Sequence, residues 1–173
     1  GAAWTAYRVN QESTIPARHW HQNDPGVVPN VLITGAGSPA GLTLYEGTLF
    51  PAPYRNQPLH AEALHNVVRF YPARKQGAGY TASISNLLKS TDQWFRPIDV
   101  SVAPDGSVLV ADWYDPGVGG HQAGDLNRGR IYRVAPPNTP YKMPKVDVAT
   151  TEGALVALQS PNMNIRYAGW QAL

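Results

Sequence analysis

Two short runs, Ile98-Asp99-Val100-Ser101-Val102 and Val108-Leu109-Val110-Ala111-Asp112, flank a Pro104-Asp105-Gly106 turn, and this arrangement constrains the fold more than any other feature of the chain. Ile98, Val100 and Val102 alternate with polar residues, as a half-buried strand requires. Proline presets φ for the first turn position, and glycine takes the positive φ that strains other residues. The segment therefore predicts a β-hairpin. A further strand, Arg130-Ile131-Tyr132-Arg133-Val134, follows a long loop rich in Gly and Asp.

An earlier stretch has the same outline. Pro39 to Tyr45 matches Pro104 to Val110, and Val67-Val68-Arg69-Phe70 matches Ile131-Tyr132-Arg133-Val134. The offset is about 65 residues, longer than the roughly 40–50 of common propeller blades, and long inter-strand loops account for the excess. Paired β-meanders with turn signals at their corners read as propeller blades, with a sandwich as the alternative. Gly and Pro, at 16 each in 173 residues, supply the turns such a body needs. Two blades cannot close a ring, and open blades leave strand edges that invite pairing. The expectation is a piece of something larger, with the remaining blades upstream of Gly1 or supplied by further copies.

From Thr150 the pattern changes. Thr150 or Thr151 caps a helix whose first turn carries Glu152, with Leu155 and Leu158 on one face. Ser160-Pro161 restarts a helix, with proline at its first position. Ile165, Ala168 and Leu173 give the second face, beside Trp170. The expected organisation is a partial propeller over 1–136, a proline-rich connector over 137–149 and a short helical hairpin over 150–173.

Charge and composition exclude several function classes. A hydrophobic content of 43% with 15% charged residues rules out a disordered tail. The net charge is +2 with no long run of Lys or Arg, so no nucleic-acid partner is expected. No apolar run reaches the ~18 residues of a membrane span. Cysteine is absent, which removes disulfides, thiolate metal sites, thiol nucleophiles and covalent haem attachment.

Three segments carry a family resemblance. The first runs from Trp94-Phe95-Arg96-Pro97-Ile98-Asp99-Val100 through Ala111-Asp112-Trp113-Tyr114-Asp115-Pro116-Gly117-Val118-Gly119-Gly120-His121 to Arg128-Gly129-Arg130-Ile131-Tyr132-Arg133-Val134. The others are Arg18-His19-Trp20-His21-Gln22-Asn23-Asp24-Pro25-Gly26 and Gly35-Ala36-Gly37-Ser38-Pro39-Ala40-Gly41. Together they resemble the membrane-bound dehydrogenase family of planctomycete and verrucomicrobial bacteria. That family is similar to the soluble sugar dehydrogenases that use pyrroloquinoline quinone. The resemblance implies the C-terminal part of a β-propeller, about two blades, followed by a helical hairpin like a HEAT repeat. It also implies a periplasmic or extracellular location. The chain has Ala61 and Ser101 where the family often has Cys. Without a c-type haem of its own, electron transfer would pass to a partner such as a c-type cytochrome. The catalytic base of the quinoprotein enzymes would lie upstream of Gly1.

Candidate site residues follow. Arg96 and Asp99 match the first Arg and the Asp of the quinoprotein motif Arg-x-Arg-Asp-Val, with Ile98 in place of the second Arg. By that resemblance Arg96 grips a quinone carboxylate through paired N–H donors; the alternative is an ion pair with Asp99 or Asp112 that ties blades together. Asp112, Asp115 and His121 lie in the Gly-rich loop, where oxygen donors suit Ca²⁺ and where Asp115-Pro116-Gly117 is equally a good turn. His19 and His21 share a face on an extended strand, so both imidazoles can meet one divalent ion, with Asp24 as a third ligand. An aromatic channel lining around Trp20 is the alternative. His60, Glu62 and His65 have a spacing that fits neither a helix face nor a strand face. Trp94 and Trp113, with His121, offer contact surface to a sugar ring. The leading expectation is a quinoprotein-type propeller that oxidises a sugar or related alcohol. The second is a non-catalytic propeller scaffold that binds carbohydrate or protein partners.

Overall fold

The computed structural model describes residues 31–32, 38–117 and 127–173. Among them nine strands follow in chain order: β1 (Pro39–Leu44), β2 (Pro58–Glu62), β3 (Val67–Phe70), β4 (Ala73–Gln76), β5 (Gly79–Ala82), β6 (Ser85–Lys89), β7 (Pro97–Val102), β8 (Val108–Asp112) and β9 (Arg130–Val134). Two helices close the chain, α1 (Thr151–Ala157) and α2 (Met163–Gln171). The first sheet has the order β1-β2-β3-β6 and the second the order β7-β8-β9, all antiparallel. Between β3 and β6 the chain makes a separate hairpin, β4–β5. The protein is mainly β, about two propeller blades followed by a helical hairpin, as the sequence leads one to expect.

The two blades stack through apolar faces. Leu59, Ala61, Val68 and Phe70 of the first sheet share one core with Val100, Val102, Val108 and Val110 of the second, and Tyr45, Phe50 and Phe95 fill its ends. Full burial of each such side chain contributes about 1.5–3 kcal/mol, which makes this shared core the main force joining the blades. The first strands of the two blades, β1 and β7, run against each other. Their backbones meet at Gly41, where a Cβ would lie 2.6 Å from the Asp99 Cα.

That contact corrects the repeat. Val67–Phe70 and Ile131–Val134 are indeed equivalent third strands, β3 and β9. Pro39–Tyr45 is not equivalent to the turn and strand at 104–110, because β1 opens its sheet and β8 is the second strand of its own. Pro39-Ala40-Gly41 has the letters of a turn, yet Pro39 begins a strand, where proline is tolerated, and Gly41 serves the close approach to β7.

The β7–β8 hairpin forms as its sequence predicts. Gly106 has φ 85, and the Gly106 N–H donates to the Ala103 carbonyl at 2.8 Å. Ile98 departs from the pattern: it is 40% exposed, beside a register shift between Pro97 and Asp99.

The helical pair also differs in detail. Thr150 caps α1, its hydroxyl accepting the Gly153 N–H at 3.1 Å. α2 starts at Met163 and not at Pro161, because the Asn162 side chain accepts the N–H groups of Asn164 and Ile165 and serves as the N-cap. Ala154 and Ala157 form the buried face of α1 while Leu155 is exposed. Small residues are needed there: a Cβ on Gly169 of α2 would lie 2.8 Å from the Ala157 Cβ. The pair docks on the turn end of the β7–β8 hairpin, where Asn162 Nδ2–H donates to the Ala103 carbonyl and Asn164 Nδ2–H to the Val102 carbonyl, both at 2.8 Å. Arg166 pairs with Glu46 at 2.9 Å.

Candidate functional site

Antiparallel pairing sets Pro97 opposite Asp112 and Asp112 opposite Arg130. The start of β7, the end of β8 and the start of β9 therefore open at one end of the second blade, away from the helices. Two further backbone bonds extend the β7–β8 ladder: the Trp113 N–H donates to the Arg96 carbonyl and the Asp115 N–H to the Trp94 carbonyl, both at 2.9 Å. Residues 94–96 and 113–115 are held side by side, which brings Trp94, Arg96, Asp112, Trp113 and Asp115 to one end of the blade.

Their bonding is mostly inward. Arg96 is 8% exposed. Its Nε–H donates to the Asp115 carbonyl at 2.9 Å, its Nη1–H to the Ala63 carbonyl at 3.0 Å and its Nη2–H to the Pro116 carbonyl at 3.1 Å. Asp112 Oδ1 accepts the backbone N–H groups of Arg96 at 2.8 Å and Tyr114 at 2.9 Å. Asp112 Oδ2 is enclosed with no hydrogen-bond partner, 4.0 Å from Arg130 Nη1. Asp115 accepts the Gly117 N–H on Oδ1 and the Trp113 Nε1–H, at 3.1 Å, on Oδ2. Both carboxylates order the loop.

The outward surface is aromatic and cationic. Trp113 is 53% exposed although its one N–H donor is bonded inside. Tyr114 has φ 54, a left-handed conformation that costs a non-glycine residue about 1–2 kcal/mol. Its ring lies 5.6 Å from that of Trp94, and the Arg130 Cζ sits over it at 4.0 Å, with the Arg128 Cζ at 5.8 Å. Arg130 Nη1–H donates to the Tyr132 hydroxyl at 2.9 Å. Tyr114, Arg128 and Arg130 were not singled out by sequence reasoning. The only signal available was their position on either side of the Gly-rich loop.

The histidines and Glu62 on the first blade have separate partners. His60 Nδ1 lies 2.8 Å from the Tyr71 hydroxyl. Burial pushes His60 below the ordinary histidine range, against the pull of Glu62, and pushes the Tyr71 phenol up. Glu62 Oε1 accepts the N–H groups of Ser38 and Leu64, and His65 meets Arg69 at 2.9 Å. His19, His21, Asp24 and His121 lie outside the described residues.

Neither expected cofactor fits these residues as they are bonded. Each nitrogen of the Arg96 fork already donates to a carbonyl and the residue is 8% exposed, so the fork is turned inward and is not presented to a quinone carboxylate. Ca²⁺ takes six to eight oxygens, whereas both oxygens of Asp115 and one of Asp112 accept backbone or indole N–H groups. Among the described residues no three His, Asp or Glu side chains converge.

No curated protein matches the chain. Among solved structures it is similar to an oxidoreductase of Thermus thermophilus named as a glucose dehydrogenase, at 16% identity and a TM-score of 0.47 over 64% of this chain. The match spans 29% of that protein's length. Residues 5–138 match the model of a domain of unknown function, DUF7133, and the chain belongs to that family.

Proposed function

We propose that the chain is part of a dehydrogenase-like propeller protein and that the loop end of its second blade binds carbohydrate. One observation carries this reading: the Trp113 indole is half exposed while its N–H is bonded to the enclosed Asp115. A ring fixed in this way loses little conformational freedom on binding, and it offers an apolar face to the C–H groups of a sugar. The engagement of Arg96 by three carbonyls supports a binding scaffold over a grip on pyrroloquinoline quinone. Oxidation of a sugar, a c-type cytochrome as acceptor, the HEAT-like character of the tail and a periplasmic or extracellular setting rest on the family resemblance. Among the described residues no helix is long and apolar enough to cross a membrane.

The test is a tryptophan-fluorescence titration of the whole chain with oligosaccharides of varied linkage and charge. Saturable binding that Trp113→Ala abolishes, with the thermal midpoint preserved, supports the reading. An unchanged affinity in Trp113→Ala, or saturation by none of the sugars, overturns it.

A further inference from the structure

We infer that the outer edge of β9 pairs with the same edge of a second copy of this chain, antiparallel and in register about Tyr132. The two blades differ in strand number. β3 carries a fourth strand, β6, on its outer side, whereas among the described residues no strand pairs with the outer side of β9. Strand edges that stay unpaired are normally protected by a proline, a lysine or a bulge. Three of the four edge strands of the two blades carry such devices. β1 and β7 begin with Pro39 and Pro97, and each holds an extra residue against its neighbour, between Pro39 and Leu42 and between Pro97 and Asp99. β6 holds an extra residue against β3 and ends on Lys89. β9 has none of these: it runs against β8 without a shift, and Ile131 stands 75% exposed on it.

The backbone of the edge is set for this pairing. The Ala103 N–H donates to the Ser107 carbonyl. Alternation along an antiparallel ladder then turns the backbone groups of Leu109 and Ala111 to β7, and those of Val108, Val110 and Asp112 to β9. Val134, Tyr132 and Arg130 lie opposite these three, which leaves the N–H and C=O groups of Ile131 and Arg133 pointing outward. In a two-fold pair about Tyr132, Ile131 of each copy lies opposite Arg133 of the other, and such a pair exchanges two N–H···O=C bonds.

The side chains agree with this register. Arg130 falls opposite Val134 and Arg133 opposite Ile131, so no two like charges face each other. Both guanidiniums are already balanced within the chain, Arg133 on Asp105 at 2.8 Å and Arg130 beside Asp112 at 4.0 Å. Tyr132 meets its own copy at the centre, in the non-hydrogen-bonded position where side chains approach most closely and aromatic pairs are favourable. Beside the edge, Leu88, Phe95, Tyr132 and Val134 line a groove of about 380 Å³. Tyr132 and Val134 of the second copy project to the same side of the extended sheet and cover its apolar walls. One added strand pair is a small interface, so the dimer belongs with weak, concentration-dependent complexes.

The experiment follows the mass of the whole chain by sedimentation velocity from about 1 µM to about 500 µM, a range that brackets a weak dimer. Amide exchange is read by NMR over the upper part of that range. The expected result is a reversible rise from the mass of one chain to that of two. Exchange at Ile131 and Arg133 should slow as concentration rises, while that of Tyr132, bonded to β8 throughout, should not change. Ile131→Pro removes one outward N–H from each copy and leaves the β8 ladder intact, as edge proline does. It should raise the dimer dissociation constant at least about tenfold. The mass of a single chain at every concentration would overturn the inference. A dimer with unmoved exchange at Ile131 and Arg133, or one undiminished in a folded Ile131→Pro variant, would place the contact elsewhere and overturn it too. If that variant does not fold, the exchange pattern of the wild type decides.

Discussion

The Arg96 Nη1–H donates to the Ala63 carbonyl, 3.0 Å away across the boundary between the two blades. With Nε and Nη2 on the carbonyls of Asp115 and Pro116, one side chain ties the β2–β3 turn of the first blade to the loop after β8 of the second. Arg96→Leu should therefore destabilise the chain by about 3 kcal/mol, since three carbonyls lose a charged donor and burial keeps them from water. Arg96→Lys should fall between, because an ammonium cannot span three divergent acceptors. Urea unfolding of the three proteins checks this. The same samples test the cofactor: pyrroloquinoline quinone with Ca²⁺ should leave the wild-type midpoint unmoved. A saturable rise in midpoint that Arg96→Lys loses would restore the quinone reading.

Gly41→Ala is a second test of how the blades meet. A Cβ at this position would lie 2.6 Å from the Asp99 Cα and 2.9 Å from the Val100 nitrogen, both backbone atoms. No rotamer change relieves such a contact, so β1 and β7 must separate. A cost of about 1–3 kcal/mol is expected, as for other overpacked sites. Gly79→Ala is the control, since its Cβ would meet only the Gln76 carbonyl at 3.9 Å, and its thermal midpoint should stay near that of wild type.

The contrast between these glycines shows what the sequence could reveal. The β7–β8 hairpin was readable because its information is local: alternation of Val100 and Val102, then Pro-Asp-Gly at the turn. β9 was readable for the same reason. The β4–β5 hairpin was not, because Arg74, Lys75 and Gln76 are all exposed and no alternation marks the strand. Only Gly77, φ 57, at the two-residue turn signals it. Gly41 was misread because its requirement comes from Asp99, nearly 60 positions away in the chain. At the site, Arg96, Asp112, Trp113 and Asp115 are legible one by one as candidates, from their residue types and their place beside the Gly-rich loop. Their use of backbone carbonyls and N–H groups, and the left-handed Tyr114 beneath Arg130, depend on tertiary geometry that no residue pattern encodes.

Asn162 performs two tasks that substitution can separate. Its Oδ1 caps α2, and its Nδ2–H donates to the buried Ala103 carbonyl at 2.8 Å. Asn162→Asp should keep the cap and lose the donor, whereas Asn162→Ala loses both. The cap is worth about 1 kcal/mol, and the orphaned carbonyl adds about 1–3 kcal/mol. Helical circular dichroism and tryptophan fluorescence should report one coincident unfolding transition in wild type. In Asn162→Ala the helical signal should be lost first, as the hairpin detaches from the β7–β8 turn. Coincident transitions in that variant would show that the helices are held by other contacts.

His60 makes the fold sensitive to acid. Burial lowers its pKa from the ordinary 6.5, with the Arg69 charge adding to the effect and Glu62 opposing it. The native state therefore binds fewer protons than the unfolded state just below that pH, and stability rises with pH through the window. The contribution is fully present above the unfolded value and declines as pH falls towards the folded one. In the native state Nδ1 meets the Tyr71 hydroxyl at 2.8 Å, a contact that a neutral ring makes as donor or acceptor. Thermal midpoints between pH 7.5 and about pH 5 should fall on acidification in wild type. His60→Gln, which keeps a polar group near Tyr71 without a titrating ring, should flatten that slope, although its midpoint at neutral pH will be lower. An equal slope in both proteins would assign the acid sensitivity to other groups.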